Sequence, residues 1–428
     1  MPTAEWKKRK MLLNAIWVGF FLVGFAVALV KMLQGDLGIF NKLMSGLFDA
    51  SKTGFDISLG LVGVMSLWLG IMRIGEKAGL IEQFAKLLAP FFSRIFPEVP
   101  KGHPAAGSMV MNMSANMLGL DNAATPLGLK AMKELQSLNP KADQASNAMI
   151  MFLVLNTAGI TLIPTSVIAI RQTMAIEQGL KGFNGADIFL PALMGTFVSF
   201  SAGLIAVAWV QRIRLTSLPI LSFFGLFGAL IAALYFSLQG LEAQQLNHRM
   251  GVIGSVIIMS VICLFMLSAV MRRVNVYESF IEGAKEGFSV AVQIIPYLIA
   301  MLVAISVFRN SGCMDYIVEA IGSVVRGLGW DDRFVAALPV GLMKILSGSG
   351  ARGLMVDVMK TYGVDSFEGQ LAAIIQGSTE TTFYVLAVYF GSVNIRKTRH
   401  AVACALWADL VGLIAAILIA YAFFGRSL

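Results

Sequence analysis

The chain has 428 residues, of which 57% are hydrophobic and 14% charged, and its formal net charge is +8. Soluble proteins average about 45–50% apolar and about 25% charged residues, so this composition excludes an ordinary soluble enzyme, a disordered chain and a nucleic-acid-binding protein. The apolar excess predicts a surface exposed to lipid, and positive charges placed between apolar runs indicate membrane topology.

The apolar runs predict nine transmembrane helices, because about 20 residues are needed to cross about 30 Å of hydrocarbon. The first run follows the basic residues 7–10, is too long for a signal peptide and lacks a cleavage pattern, so we expect it to be retained. The predicted spans are 11–33, 57–74, 147–170, 187–210, 218–238, 250–270, 287–308, 367–390 and 401–424. The amphipathic segments 76–96 and 314–328 are predicted to lie along the membrane interface.

Two further apolar regions predict re-entrant hairpins, each with two short arms around a polar tip. An arm of about 13 residues reaches only about 20 Å. An irregular tip at bilayer depth is tolerated only inside protein or beside a water-filled cavity. The arms and tips are 104–120, 121–126 and 127–138 in the first hairpin, and 334–346, 347–353 and 354–362 in the second.

The chain repeats itself. The segment 48–55 (FDASKTGF) resembles 281–288 (IEGAKEGF), and Gly79 and Gly312 keep the same separation of 233 residues. Later pairs are 222 residues apart: Thr157 with Thr379, and Ala186-Asp187 with Ala408-Asp409. The sequence thus predicts two repeats, 1–215 and 216–428.

The two repeats are predicted to be inverted, because five spans, an odd number, separate their first helices. Inverted repeats are typical of secondary transporters. With the N-terminus inside, 20 of the 33 lysines and arginines fall on the cytoplasmic side, which favours an internal N-terminus and an external C-terminus. The fold prediction is an all-α polytopic membrane protein with about nine spans and two hairpins.

The segment 376–382 (QGSTETT) places seven non-apolar residues in the middle of an apolar span. A carboxylate at bilayer depth is costly unless it faces the protein interior, so Glu380 predicts a functional site. Gly377 and the hydroxyl residues weaken the helix, and a local break would free backbone groups to bind a solute or an ion. The alternative is a polar contact between helices. The corresponding uncharged break in the first repeat, 156–164, is alternatively a simple kink.

The second hairpin tip lies between Lys344 and Arg352. Its backbone amides and these two cations would attract an anionic group; alternatively the cations pair with Glu380 and Asp357 and bind nothing. Asp409, within the last span, is a further candidate for ion coupling, although capping or pairing with a cation explains it equally well. The predicted substrate-binding residues are Asn112, Ser114, Asn116, Asp121, Asn122, Thr125, Asn156, Thr157, Lys344, Ser347, Ser349, Arg352, Gln376, Ser378, Thr379, Glu380 and Thr381. Glu380 and Asp409 are the predicted ion-coupling residues, and no metal, cofactor or catalytic residue is predicted.

The segment 112–128 (NMSANMLGLDNAATPLG) resembles the signature of spore maturation protein A. Four later segments resemble the signature of spore maturation protein B: 346–351 (LSGSGA), 377–384 (GSTETTFY), 389–393 (YFGSV) and 399–401 (RHA). Together the resemblances cover nearly the whole chain, which looks like a fusion of the two proteins joined near Thr216.

This resemblance implies membership of the nucleoside-recognition, or Gate, superfamily, which is similar to concentrative nucleoside transporters and to the ferrous-iron permease core. It implies a transport fold, in which Thr379-Glu380-Thr381 resembles the polar and acidic motif of the carriers' broken helix. Lys344 and Arg352 depart from those carriers and argue against a neutral nucleoside. In spore formers the two proteins are associated with dehydration of the spore core.

The sequence therefore favours a secondary transporter in the bacterial inner (cytoplasmic) membrane, with alternating access for a small polar or anionic solute and coupling to H+ or Na+. The alternative is a non-transporting membrane assembly factor in envelope or spore maturation. An enzyme is not expected, because neither zinc-ligand spacing nor a GxSxG nucleophile occurs at bilayer depth. The expected partners are the solute, the ion and the lipid bilayer but not nucleic acid, and a homo-oligomer is compatible with this interpretation.

Overall fold

The computed structural model describes residues 4–118, 121–238, 240–241 and 243–425, without the side chains of 4–13, 121–123, 243–244 and 247. These residues form α-helices joined by short loops and two 3-10 helices, Gly185–Ile188 and Arg333–Ala337. The α-helices are α1 (Ala4–Leu33), α2 (Ile39–Lys77), α3 (Leu80–Ile95), α4 (Pro104–Met117), α5 (Asp121–Ser137), α6 (Asn147–Thr157), α7 (Thr165–Glu177), α8 (Phe189–Gln211), α9 (Leu218–Leu238), α10 (Ala243–Met271), α11 (Val276–Asn310), α12 (Cys313–Gly327), α13 (Leu338–Leu346), α14 (Gly348–Tyr362), α15 (Phe367–Ser378), α16 (Thr382–Ser392) and α17 (Ala401–Phe424).

Eight segments of the described chain are long and apolar enough to cross a membrane. They are α1, α2, α8 with its preceding 3-10 helix, α9, α10, α11, α15 together with α16, and α17. The protein is therefore an all-α polytopic membrane protein, as predicted. The predicted span 147–170 differs, because the chain leaves the helix after Thr157 and re-enters it at Thr165, so that neither α6 nor α7 is long enough to cross alone.

The helices occur twice in the same order, from α1 to α8 and again from α10 to α17, with α9 between the two sets. In each set a long helix is followed by an amphipathic helix, a hairpin of two short arms, a broken span and a last span. The correspondence extends to the backbone: Gly79 and Gly312, which precede α3 and α12, have φ angles of 65° and 90°. This left-handed conformation favours glycine, which explains why both positions carry one.

The pairing of Asp187 with Asp409, suggested by their separation of 222 residues, is wrong. Asp187 lies in the 3-10 helix before α8, whereas Asp409 lies well inside α17. The connection between α7 and α8 includes this extra turn and is longer than the connection between α16 and α17, so the register shifts between the repeats.

The long helices α2 and α11 pack against each other in antiparallel orientation along most of their length. Gly54 of α2 lies against Ile299, and Gly287 of α11 lies against the backbone carbonyl of Met65. Both glycines belong to the repeated sequence motif. Small residues allow helix backbones to approach closely in membranes, so the repeated motif marks the contact between α2 and α11.

One buried and one partly buried ion pair fix the helices, and the first of them also reaches the second repeat through Val364. The Arg171 guanidinium of α7 donates two hydrogen bonds to the Asp187 carboxylate, at 3.0 and 2.9 Å, and a third to the Val364 carbonyl, at 2.9 Å. Arg309 of α11 pairs with Asp357 of α14. This second pair differs from the predicted alternative, in which Asp357 partners Lys344 or Arg352.

Polar contacts among loop and helix residues form two groups, toward opposite ends of the helices. Arg396 and Lys397 donate backbone hydrogen bonds to the Asp143 carbonyl at 2.9 and 3.0 Å. The Lys397 side chain lies 3.1 Å from the Asp143 carboxylate, and its hydrogen bond holds the pKa of Asp143 below its usual value. Further contacts at this end join Gln211 to Asn147, and Arg73 and Lys77 to Glu282. Contacts at the other end join Lys360 to Thr53, Arg309 to Asp357, and Arg333 to Gly425.

Candidate functional site

The second broken span opens at residues 379–381, between α15 and α16. Thr379 is extended, with φ −142° and ψ 165°. The backbone amide of Glu380 donates a 2.9 Å hydrogen bond to the carbonyl of Thr157, the last residue of α6. The two broken spans, one from each repeat, therefore meet directly at their breaks.

The first broken span ends because its polar side chains bond back to the preceding turn. Asn156 donates to the Phe152 carbonyl at 2.8 Å, and the Thr157 hydroxyl donates to the Val154 carbonyl at 2.9 Å. Such bonds compete with helix continuation. Pro164, which has no amide hydrogen, precedes α7. Within the break, Leu162 donates its amide to the Met117 carbonyl at the end of α4, which fixes the break against the first hairpin tip.

The first hairpin tip is tied to both broken spans through asparagines. Asn116 donates to the Asn156 side-chain oxygen at 2.7 Å. Asn112 donates to the Ala124 carbonyl at 2.7 Å and lies 3.2 Å from the Tyr389 hydroxyl of α16. The side chains of Asp121 and Asn122, also predicted for this tip, lie outside the described part of the structure.

The second hairpin tip is shorter than predicted. Only Ser347 is extended between α13 and α14, and its hydroxyl accepts the Gly350 amide at 3.1 Å as a helix cap. The predicted tip residues 348–353 are helical because this cap starts α14 at once. Gly348 faces the Thr381 hydroxyl so closely that a β-carbon there would lie 2.8 Å from it, and the tip packs directly on the break.

These four elements surround a cavity of about 750 Å³. Eight of the predicted residues line it: Asn116, Thr125, Asn156, Ser347, Ser349, Arg352, Glu380 and Thr381. Among the described side chains, Glu380 and Arg352 give it one acidic and one basic group, and the remaining polar groups are amides, hydroxyls and the indole of Trp17. The cavity can therefore offer directional hydrogen bonds together with charges of both signs to a small polar solute.

The sequence analysis missed the aromatic wall of the cavity. Trp17, Tyr297, Tyr384 and Tyr389 all line it. Trp17 donates its indole hydrogen to the Ala300 carbonyl at 2.9 Å, which joins α1 to α11. Aromatic residues are common in apolar spans, so their position in the sequence did not mark these four as lining a cavity. The contact of Tyr389 with Asn112 becomes visible only in the structure.

The other predicted residues whose side chains are described do not line this cavity. Asn112, Ser114, Thr157 and Gln376 are buried within its surrounding walls. Ser378, Thr379 and Asp409 line a second cavity of about 140 Å³, and Lys344 lines neither cavity. Arg352 lines the large cavity, whereas Lys344 lies in the last turn of α13; that the two cations hold one anionic group together stays a prediction.

Asp409 is held by the second broken span. The Thr382 hydroxyl, at the start of α16, donates a 2.6 Å hydrogen bond to one oxygen of the Asp409 carboxylate. The other oxygen has no hydrogen-bond partner among the described residues. The extended backbone at Thr379 turns that side chain toward the small cavity, while Glu380 and Thr381 line the large one. The break at 379–381 therefore contributes residues to both cavities.

A family model described as nucleoside recognition (Gate) matches residues 58–174 and 291–396, together just over half of the chain. The chain is 40% identical over 188 residues to spore maturation protein A of Bacillus subtilis (strain 168), covering 44% of this chain and 90% of that protein. It is 45% identical over 162 residues to spore maturation protein B of the same organism, covering 38% of this chain and 89% of that protein. The two segments matched by the family model contain both hairpins and both breaks. The chain therefore belongs to the nucleoside-recognition (Gate) family and is related to both spore maturation proteins.

Proposed function

We propose that the protein is a secondary transporter of the bacterial inner membrane for a small polar or anionic solute. The observation that supports this proposal is the polar cavity between two hairpin tips and two helix breaks inside a bundle of membrane-spanning helices. Broken helices around a central site, contributed by two repeats, are a recurring construction of secondary transporters.

In this proposal Arg352 holds an anionic group of the solute, while Asn116, Asn156, Ser347, Ser349 and Thr381 donate or accept hydrogen bonds. Arg352 lies in the second turn of α14, near helix amides that also favour an anion. Glu380 and Asp409 are the proposed ion-coupling carboxylates, with H+ or Na+ as the ion. The hairpins and breaks would open the cavity alternately to the two sides.

The proposal is tested with purified protein in proteoliposomes. Metabolite levels in deletion and overexpression strains first select the solute, and its uptake is then measured under an imposed proton or sodium gradient. Glu380→Gln keeps the size of the side chain but removes its charge. We expect gradient-driven accumulation to fall to the level of protein-free liposomes, while exchange of solute across the membrane is retained.

Glu319→Gln is the matched control, because Glu319 is an exposed carboxylate on α12, away from the cavity. It should accumulate solute as the unchanged protein does. If no solute whose level responds to the gene is transported, and Glu380→Gln still restores the deletion phenotype, the non-transporting assembly role replaces this proposal.

A further inference from the structure

The small cavity beside Asp409 borders the same 379–381 break as the large cavity, since Thr379 lines the small one and Glu380 and Thr381 line the large one. Asp409 is only 4% exposed, and one of its carboxylate oxygens has no hydrogen-bond partner among the described residues. Its other oxygen accepts the Thr382 hydroxyl at 2.6 Å. A buried carboxylate oxygen that has no hydrogen-bond partner and lies beside a cavity is available to bind a proton or a cation.

The charged surroundings of Asp409 are sparse. The helices packed against α17 in this region are α6, α8, α13, α15 and α16. Three of them, α6, α8 and α16, contain no aspartate, glutamate, lysine, arginine or histidine, and the tyrosines 384 and 389 of α16 line the large cavity. Glu368 of α15 lies in the first turn, at the far end of that helix. Lys344 of α13, 6% exposed, is the cation whose charge acts on Asp409.

The lining of the small cavity favours a proton over a metal cation. Its oxygen-bearing side chains are Ser378, Thr379 and Asp409, and leucines, isoleucines and glycines form the rest. The Ser378 hydroxyl is already bonded to the Ile374 carbonyl. Hard cations generally take about six oxygen ligands, more than these three side chains provide, so a cation would need several backbone carbonyls or waters as well. A proton needs only the unused carboxylate oxygen.

We propose that Asp409 is a proton-binding site separate from the solute cavity. On binding, an O–H bond forms at the unused carboxylate oxygen, with the proton taken from water, and the carboxylate becomes neutral. On release, the proton returns to water. The role of this site in coupling rests on the proposed transport function, whereas proton binding at Asp409 does not.

Neutralising Asp409 would change the attachment of the second hairpin. Lys344 lies in the last turn of α13, the first arm of this hairpin, whereas Asp409 belongs to α17. Protonation removes the attraction between these two charges and so weakens the electrostatic tie between the arm and α17. Because Thr382 begins α16 and also bonds Asp409, the same proton acts on the break that borders the solute cavity.

Infrared difference spectra of the purified protein in liposomes, recorded between acidic and alkaline pH, test this proposal without any solute. The unchanged protein should lose a carboxylic-acid carbonyl band as the pH rises. Asp409→Asn should lack that band, whereas Glu380→Gln should retain it. Thr382→Val should retain the band with a shifted frequency and a shifted midpoint, because the carboxyl group loses its hydrogen bond.

An Asp409→Asn spectrum that equals that of the unchanged protein, or a band insensitive to Thr382→Val, would overturn the site. If Asp409→Asn does not fold, Thr382→Val decides the question by itself. Proton-driven accumulation that persists in Asp409→Asn would overturn the coupling role. A titrating Asp409 in a protein that moves no solute would leave the proton site standing and remove the transport function instead.

Discussion

Arg171 is fully buried although it carries a permanent charge. It is accommodated because the Asp187 carboxylate accepts two of its hydrogen bonds, the Val364 carbonyl accepts a third, and its guanidinium lies 5.1 Å from the centre of the Phe183 ring. Val364 lies three residues before α15, so Arg171, a residue of the first repeat, helps to position the start of the second broken span. Nothing in the local sequence distinguishes Arg171 from an exposed arginine.

Arg171→Leu should lower the free energy of unfolding by about 3–5 kcal/mol, because Asp187 would be left buried and unpaired. The measurement is thermal unfolding of the purified protein in detergent. The double variant Arg171→Leu, Asp187→Leu removes both charges and should recover much of the loss. If the single variant is as stable as the unchanged protein, neither the ion pair nor the hydrogen bond to Val364 contributes to the stability of the fold.

At the scale of elements, the sequence predicted the order of helices, hairpins and breaks better than it predicted the residues at which each helix begins and ends. Polar residues such as Glu380 inside an apolar run are visible without a structure, so both broken spans and both hairpins could be predicted. The small cavity could not, because it depends on the extended backbone at Thr379 and on the packing of α13, α15 and α17. The predicted span 57–74 leaves out the repeated motif 48–55. Both belong to α2, because no helix-breaking residue lies between them.

The contact between α2 and α11 gives a test at this scale. Gly287→Leu should destabilise the protein by about 1–3 kcal/mol, because its side chain would collide with the Met65 backbone. Gly63→Leu on α2 is the matched control, since nothing lies near its missing side chain. It should be neutral or slightly stabilising, because leucine favours a helix more than glycine does. Equal melting temperatures for the two variants would contradict the close packing.

At the scale of the whole molecule, the contacts toward the two ends of the helices bear on the orientation in the membrane. The end with Asp143 and Lys397 also carries Arg73, Lys77 and Arg396, which are among the 20 lysines and arginines assigned to the cytoplasmic side. Positively charged loops are enriched on the cytoplasmic side. This end is therefore expected to face the cytoplasm.

Asp143→Cys and Asp331→Cys, each combined with Cys263→Ser, test the orientation in intact cells. A membrane-impermeant thiol reagent added outside should label the Asp331 position, in the loop before the second hairpin, and spare the Asp143 position. Permeabilised cells should label both. Labelling of the two positions from the same side would contradict the two-ended arrangement, and the reverse pattern would place the N-terminus outside.

The large cavity takes part of its wall from each repeat: Asn116 and Asn156 come from the first, and Arg352 and Glu380 from the second. A substitution on one wall therefore changes the surroundings of the residues that face it from the other repeat. We expect the two halves to be retained together, whether one gene or two encode them. Loss of either half would remove the cavity as completely as loss of both.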